Sequence, residues 1–303
     1  MTSDREAMPS KYTHFTTNAG VRMPRIVYGT AWKKERTTDL VVKAVLSGFR
    51  GIDTACQPKH YSENLVGAAL ALLQERHGVK REDLFIQTKF TPLSGQDPNQ
   101  IPYDKSSALP DQVRQSIQKS LSNLRTTYID SLLLHSPLPT HEQTMVAWRV
   151  LEAHVKDKII RQIGVSNMYD IGQLEKLWDE ADVKPSVVQN RFVPTFGYDT
   201  KIRAFCATHN ISYQSFWTLT GNPHLLSSPA VQSATRAHSN SVNTPEHTLF
   251  KYLIQTHPYF VPLTGTTNEK HMKEDLSVLR ELDSGDCLTE KEVVAIRVLI
   301  DGN

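Results

Sequence analysis

Along the chain, short apolar runs rich in β-branched residues alternate with longer stretches whose apolar positions recur at three- and four-residue spacing. The first pattern predicts buried strands, the second amphipathic helices. Eight strand-like runs stand out: Arg25–Thr30, Phe49–Asp53, Leu84–Phe90, Ile129–His135, Ile160–Ser166, Ser186–Asn190, Ile211–Trp217 and Tyr259–Thr264. Helical spacing between them is clearest over Ser62–Gln74, Leu109–Asn123, Glu142–Lys156, Ile171–Glu180 and Pro245–Thr256, the last opening on a proline that suits a first helical turn. Strands and helices that alternate from end to end predict βα units feeding a parallel sheet. No linker rich in Gly, Ser or Pro divides the alternation, so residues 13–303 are expected to form one α/β domain, a single (β/α)8 barrel, behind a flexible tail at 1–12.

A length of 303 residues fits that expectation, because such a barrel needs about 250 residues and commonly carries more. Hydrophobic residues at 39% and charged residues at 22% are values of an ordinary water-soluble domain. No stretch approaches the roughly 20 apolar residues of a membrane helix. The first twelve residues are polar and do not resemble a secretory signal. Cys56, Cys206 and Cys287 are too scattered for a disulfide framework or a metal site, which favours a reducing, cytoplasmic setting. The 34 basic and 32 acidic residues are interspersed, with a net charge of +2, and give no case for nucleic acid. A small-molecule partner and a monomer or weak homodimer are the expectation.

Two long irregular segments, Thr91–Ser107 and Leu219–Thr244, follow predicted strands. In a barrel both lie on the active-site face, where they can wall a substrate pocket or simply cover the surface. Polar residues at the carboxyl ends of strands are the candidates for chemistry, since the strand interiors pack as apolar layers. Asp53, Lys89 and His135 occupy three such ends. Each has a plain structural reading as an ion pair or loop contact. Together they offer a neutralised pair and a neutral donor. Tyr61, in the loop after Asp53, is the candidate phenol; a nearby ammonium is expected to lower its pKa toward the working range. Its alternative is a packing tyrosine at a helix start. A different chemistry, glycoside hydrolysis by Asp53 and Glu63 as paired carboxylates, is a weaker reading because Lys89 would pair with the acid meant to act.

Five stretches carry a resemblance: Gly51-Ile52-Asp53-Thr54-Ala55, Thr88-Lys89, Leu133-Leu134-His135-Ser136-Pro137, Ile163-Gly164-Val165-Ser166-Asn167, and an opening Gly20-Val21-Arg22-Met23-Pro24 before Tyr28-Gly29-Thr30. In order and placement the chain resembles the aldo-keto reductases over nearly its whole length. The resemblance implies a barrel with an amino-terminal hairpin and a nicotinamide cofactor held without a Rossmann fold. It also implies a catalytic tetrad of Asp53, Tyr61, Lys89 and His135. Tyr61 would protonate a carbonyl oxygen as hydride arrives, and His135 would orient the carbonyl. Ser166, Asn167 and Gln189 would hold the carboxamide, and Trp217 would stack on the nicotinamide, with Thr218 and Leu219 beside it. Gly265, Thr266, Thr267, Lys270, His271, Glu274 and Asp275 would meet the adenosine phosphate side. Trp32, His60 and Phe90 would wall the substrate pocket. Helix capping is an alternative for Ser166-Asn167 and for Thr267 or Asn268, and core packing is one for Trp217.

The chain departs from the family pattern in two places. Tyr61 lies eight residues after Asp53, behind Cys56-Gln57-Pro58-Lys59-His60, where the family spacing is five. Counting back from Val66-Gly67 lands on His60, so the spacing leaves His60 and Tyr61 both open as proton donor. Gly265 stands where the resemblance leads one to expect a lysine, and His271 where arginine is common. These changes weaken the grip on a 2′-phosphate, so NADPH is expected with NAD possible. A nicotinamide-binding sensor with little turnover is the second reading of the same residues.

Overall fold

The computed structural model describes residues 12–238 and 244–302. The predicted tail lies almost entirely outside the described residues, as does 239–243 of the second long loop. A short antiparallel hairpin, β1 (His14–Thr16) and β2 (Arg22–Pro24), opens the chain with Phe15 opposite Met23. All eight predicted runs then form strands: β3 (Val27–Gly29), β4 (Gly51–Asp53), β5 (Phe85–Phe90), β6 (Ile129–Leu134), β7 (Ile160–Ser166), β8 (Val187–Arg191), β9 (Ser212–Phe216) and β10 (Phe260–Thr264). They pair in parallel in chain order, and β10 closes on β3 with Leu263 opposite Val27. The fold is a closed (β/α)8 barrel with an amino-terminal hairpin.

The first predicted strand begins two residues late because Arg25 has another task. It is buried, and its guanidinium donates to the carbonyls of Ile254 (2.7 Å), His257 (3.1 Å) and Pro258. These carbonyls end the helix Pro245–Thr256, where a cation and its donors satisfy groups that have no partner inside the helix.

The helices are α1 (Thr37–Ser47), α2 (Glu63–His77), α3 (Leu109–Leu124), α4 (His141–Lys156), α5 (Ile171–Glu180), α6 (Thr200–Thr208), α7 (Pro223–Leu226), α8 (Pro229–Ala237), α9 (Pro245–Thr256), α10 (Glu269–Asp283) and α11 (Glu290–Asp301). Thr140, Asp170 and Thr244 cap three of them through side-chain oxygens that accept from backbone N–H groups of the first turn. The second long loop is not irregular as its composition predicts. Its described part holds α7 and α8, each opened by proline, and Ser228 caps α8. The first long loop has only a 3-10 turn at Leu93–Gly95.

Outside the strands, apolar side chains pack against the helix ring in two large clusters. Inside, the amino end of the barrel is plugged by Met23 of the hairpin with Val27, Phe85 and Val261. Above that plug the interior turns polar. Gln87, Gln189 and Gln214, all buried, join across the barrel through amide bonds of 2.6–3.0 Å. This layer is the floor of the cavity described next.

Candidate active site

A cavity of about 820 Å3 opens at the carboxyl ends of the strands. Asp53, Gln57, His60, Tyr61, Thr91 and His135 line one side, and Phe216 to Thr220 with Leu263 to Gly265 line the other. Asp53 ends β4 and Lys89 is the penultimate residue of β5, so neighbouring strands bring them together. Lys89 Nζ donates to both Asp53 oxygens, at 2.8 and 2.7 Å, and to the Thr54 carbonyl at 2.9 Å. Gln87 and Gln189 each add a bond to Asp53 Oδ1, at 2.8 and 3.0 Å. The carboxylate is therefore charge-paired and fully solvated by protein donors, which two buried charges require. Burial lowers the Lys89 pKa, and Asp53 opposes the shift.

Tyr61 and His135 meet over this pair. Their rings lie edge to face with centroids 5.9 Å apart, and Lys89 Nζ sits 5.1 Å from the Tyr61 ring centre. The three bonds of Lys89 already account for its N–H groups, so it reaches the face of the phenol and not its hydroxyl. Burial, followed by Asp53, raises the Tyr61 pKa above the usual phenol value. The expected lowering by lysine is thus reversed here, and Tyr61 holds its proton. Burial, then Lys89 and His60, pushes the His135 pKa down to about 3, so its imidazole is neutral. Its Nδ1 shares a 2.6 Å hydrogen bond with the Thr91 hydroxyl.

The extra residues before Tyr61 are taken up by a turn, in which the backbone N–H of Tyr61 donates to the Gln57 carbonyl at 3.1 Å. His60 also lines the cavity, with its ring tilted against Trp32 at a centroid distance of 4.0 Å. Trp32 is 65% exposed and Trp217 is 54% exposed, so both indoles stand at the rim. Trp32, Asn167 and Trp217 all have positive φ, near 64°, 54° and 60°. Side chains adopt that conformation rarely, and it concentrates at functional sites.

Ser166 ends β7, Asn167 follows it, and both turn to their neighbours. The Ser166 hydroxyl donates to the Gln189 carbonyl at 2.8 Å, and the Asn167 amide donates to the His135 carbonyl at 2.9 Å. They do not cap α5, whose cap is Asp170. Gln189 spends both N–H groups on Asp53 and Gln214, which leaves its Oε1 for a ligand's donor. A carboxamide N–H2 fits such acceptors. Thr218 is held to Ser215 at 2.7 Å, and Leu219 joins the cavity wall.

Gly265 and Thr266 line the far end of the cavity, while Thr267, Lys270 and His271 are exposed at the start of α10, beyond it. Asn268 caps that helix. Glu274 is half-buried and pairs with Lys270 at 3.5 Å. Asp275 is buried, and burial raises its pKa to about 7. Two expectations fail. Phe90 is fully buried in the outer core against Tyr103, with centroids 5.7 Å apart, because strand alternation turns it away from the interior when Lys89 faces in. Glu63 also faces outward, bonded to Thr88 and, at 2.9 Å, to Asn123, so no second carboxylate joins Asp53 in the cavity. Among the described residues no cluster of His, Cys, Asp or Glu can hold a metal ion, and no helix is long and apolar enough to cross a membrane.

The Aldo/keto reductase family matches residues 25–292. The chain belongs to the aldo/keto reductases. It is similar to glyoxal reductase of Bacillus subtilis, 32% identical over 226 residues that cover 74% of this chain and 73% of that one. Among solved structures it resembles an aldo/keto reductase from Brucella melitensis, with a TM-score of 0.76, 25% identity, and 94% and 98% of the two chains covered. A second solved aldo-keto reductase, complexed with NADPH, shares the fold at a TM-score of 0.76 and 22% identity, covering 96% of this chain and 88% of that one. As a member of this family the chain is an NAD(P)-dependent oxidoreductase.

Sequence reasoning missed several wall residues of this reductase. Lys33 donates to the Gly265 carbonyl, and a Cβ added to Gly265 would meet the Lys33 ammonium at 3.3 Å, so a cation from the β3–α1 loop fills the place left by glycine. Gln57, Ser94 and Gly95 line the cavity too. Arg191, two residues beyond Gln189 on β8, was legible by alternation alone.

Proposed function

We propose that this aldo/keto reductase reduces an aldehyde or ketone to an alcohol, with NADPH as the preferred cofactor. The observation that carries the reading is the meeting of a protonated phenol, Tyr61, and a neutral imidazole, His135, over the Asp53–Lys89 pair at one end of a long cavity. The cofactor, when bound, supplies the hydride. Tyr61 gives its proton to the carbonyl oxygen as negative charge develops there. Lys89, held by Asp53, places a cation behind the phenol and stabilises the phenolate left by the transfer. His135 presents its Nε2 end to the carbonyl and orients it. Gln189, Ser166 and Asn167 hold the carboxamide, and Trp217 covers one face of the nicotinamide. Gly265 to Thr267 with Lys270, His271, Glu274 and Asp275 form the adenosine side, and Lys33 adds a cation there. The named reduction by the Bacillus relative and the NADPH of the solved neighbour point the same way.

Replacement of Tyr61 by Phe tests the assignment against His60→Asn. Loss of a positioned acid costs typically 10²- to 10⁴-fold in rate. Tyr61→Phe is expected to lose at least about 10²-fold in kcat and keep its affinity for NADPH. His60→Asn is expected to keep kcat within about an order of magnitude. Full activity of Tyr61→Phe sinks the proposal.

A further inference from the structure

One cation on the cavity wall has no partner. Arg191 ends β8, lines the cavity, and is half-buried. No hydrogen bond or ion pair among the described residues engages its guanidinium, and its Nε is buried without a partner. Its protein contacts are aromatic: the guanidinium carbon lies 4.8 Å from the Trp217 ring centre and 5.9 Å from that of Phe216. Stacking on an indole recovers part of the lost hydration, but it satisfies none of the five N–H donors of the fork.

The surroundings sharpen the anomaly. Lys33, the other cation on this wall, donates to a carbonyl. Asp53, the carboxylate of the lining, is already paired with Lys89. A buried donor left without an acceptor is costly, and Arg191 Nε is one such donor at the edge of a cavity where a ligand can reach it. The fork geometry matches two oxygens of a phosphate or carboxylate.

We infer that Arg191, backed by Trp217, is an anion-recognition subsite of this cavity that binds a phosphate or carboxylate group through paired charge-assisted hydrogen bonds. The inference rests on the reductase reading, because the cavity is the same one. Two sources present this chemistry: the diphosphate of the dinucleotide, or an anionic substituent on the carbonyl substrate.

The test compares Arg191→Met with Arg191→Lys in the full chain. Calorimetric titration with NADPH, with reduced nicotinamide mononucleotide and with reduced nicotinamide riboside reads the cofactor source. Steady-state reduction of benzaldehyde and of 4-carboxybenzaldehyde reads the substrate source. If the subsite holds cofactor phosphate, Arg191→Met weakens NADPH and the mononucleotide by about tenfold or more, leaves the riboside unchanged and keeps the ratio between the aldehydes. If it holds a substrate anion, all three titrations stay put and kcat/KM for the carboxylated aldehyde falls by a similar factor while benzaldehyde is spared. In either case Arg191→Lys retains part of the binding, and the melting temperature of Arg191→Met without ligand stays level or rises, since an unpartnered cation has been removed. Uniform loss in every arm with a lowered melting temperature would mean a structural arginine and overturns the inference. So does no change in any arm. Failure of the wild type to reduce either aldehyde would count against the reductase reading alone, because the titrations still report on Arg191.

Discussion

Lys89→Met removes one member of a pair that the barrel buries almost completely. Asp53 then keeps its bonds from Gln87 and Gln189, at 2.8 and 3.0 Å, but loses both bonds from the ammonium and the only full charge that balances it. Breaking a buried pair from one side costs about 3–5 kcal/mol, since a charge is left uncompensated. At roughly 2 °C per kcal/mol for a chain of this length, the melting temperature should fall by roughly 6–10 °C. The double variant Asp53→Asn with Lys89→Met supplies a neutral acceptor to the two glutamines and should recover most of the loss, because replacing both partners is often near neutral. Urea unfolding of the three proteins at pH 7 and pH 5 measures this. A buried lone carboxylate takes up a proton more readily than an exposed one, so the single variant binds more protons folded than unfolded. Its deficit should be largest at pH 7 and shrink toward pH 5. Catalysis should stay lost in both variants. A Lys89→Met protein as stable as the wild type, or a double variant no better than the single, would refute the view of Asp53 as a buried charge held chiefly by Lys89.

Two further outcomes are expected. Gly67→Ala should destabilise by about 1–3 kcal/mol in urea unfolding, because its Cβ would lie 2.0 Å from the Asn123 carbonyl oxygen where α2 crosses α3, and backbone cannot yield as a side chain tip does. Acid should destabilise the chain through histidines that are neutral when folded: burial lowers His135 to about 3 and His14 and His257 to about 4, against 6.5 unfolded. Since the unfolded chain takes up those protons first, this stability is whole above pH 6.5 and is lost as pH falls from there toward 3. A His135→Gln variant should show a shallower loss in urea midpoint between pH 7.5 and pH 5, and an unchanged slope would contradict the neutral assignment.

The strands were readable because buried parallel strands are short apolar runs, and the site was readable because polar residues such as Asp53 and His135 break those runs at one end. The same period of two also fixes which neighbours face the interior. If Lys89 faces inward, Phe90 faces the helices, and if Gln189 faces inward, so does Arg191. The helices α7 and α8 were hidden by their brevity, although Pro223 and Ser228-Pro229 mark their starts. Other features have no one-dimensional signature. That the Tyr61 pKa goes up and not down depends on how deeply the phenol is buried and on which donors of Lys89 are already committed. The amide of Gln87 bonds Gln214 from 127 residues away in the chain, and Gln214 in turn accepts from Gln189.

The insertion that makes the phenol ambiguous in sequence is explained by the loop that follows β5. Gln57 Nε2 donates to the Gly95 carbonyl at 2.8 Å, and Gln96 Nε2 donates to the carbonyls of Cys56 and Thr91 at 3.0 and 3.1 Å. The loop therefore clasps the inserted residues directly, and the turn at Gln57 delivers Tyr61 to the cavity from that clasp. The same loop begins with Thr91, whose hydroxyl engages His135 Nδ1 and leaves Nε2 as the ring nitrogen without a protein partner. Tyr103 fixes Thr91 in turn, through a 2.8 Å bond to its carbonyl. Phenol and imidazole, carried on different strand ends, are thus positioned by one hydrogen-bonded unit. The segment after β5 thus holds the longer segment after β4 in place, through Gln57 on one side and Gln96 on the other.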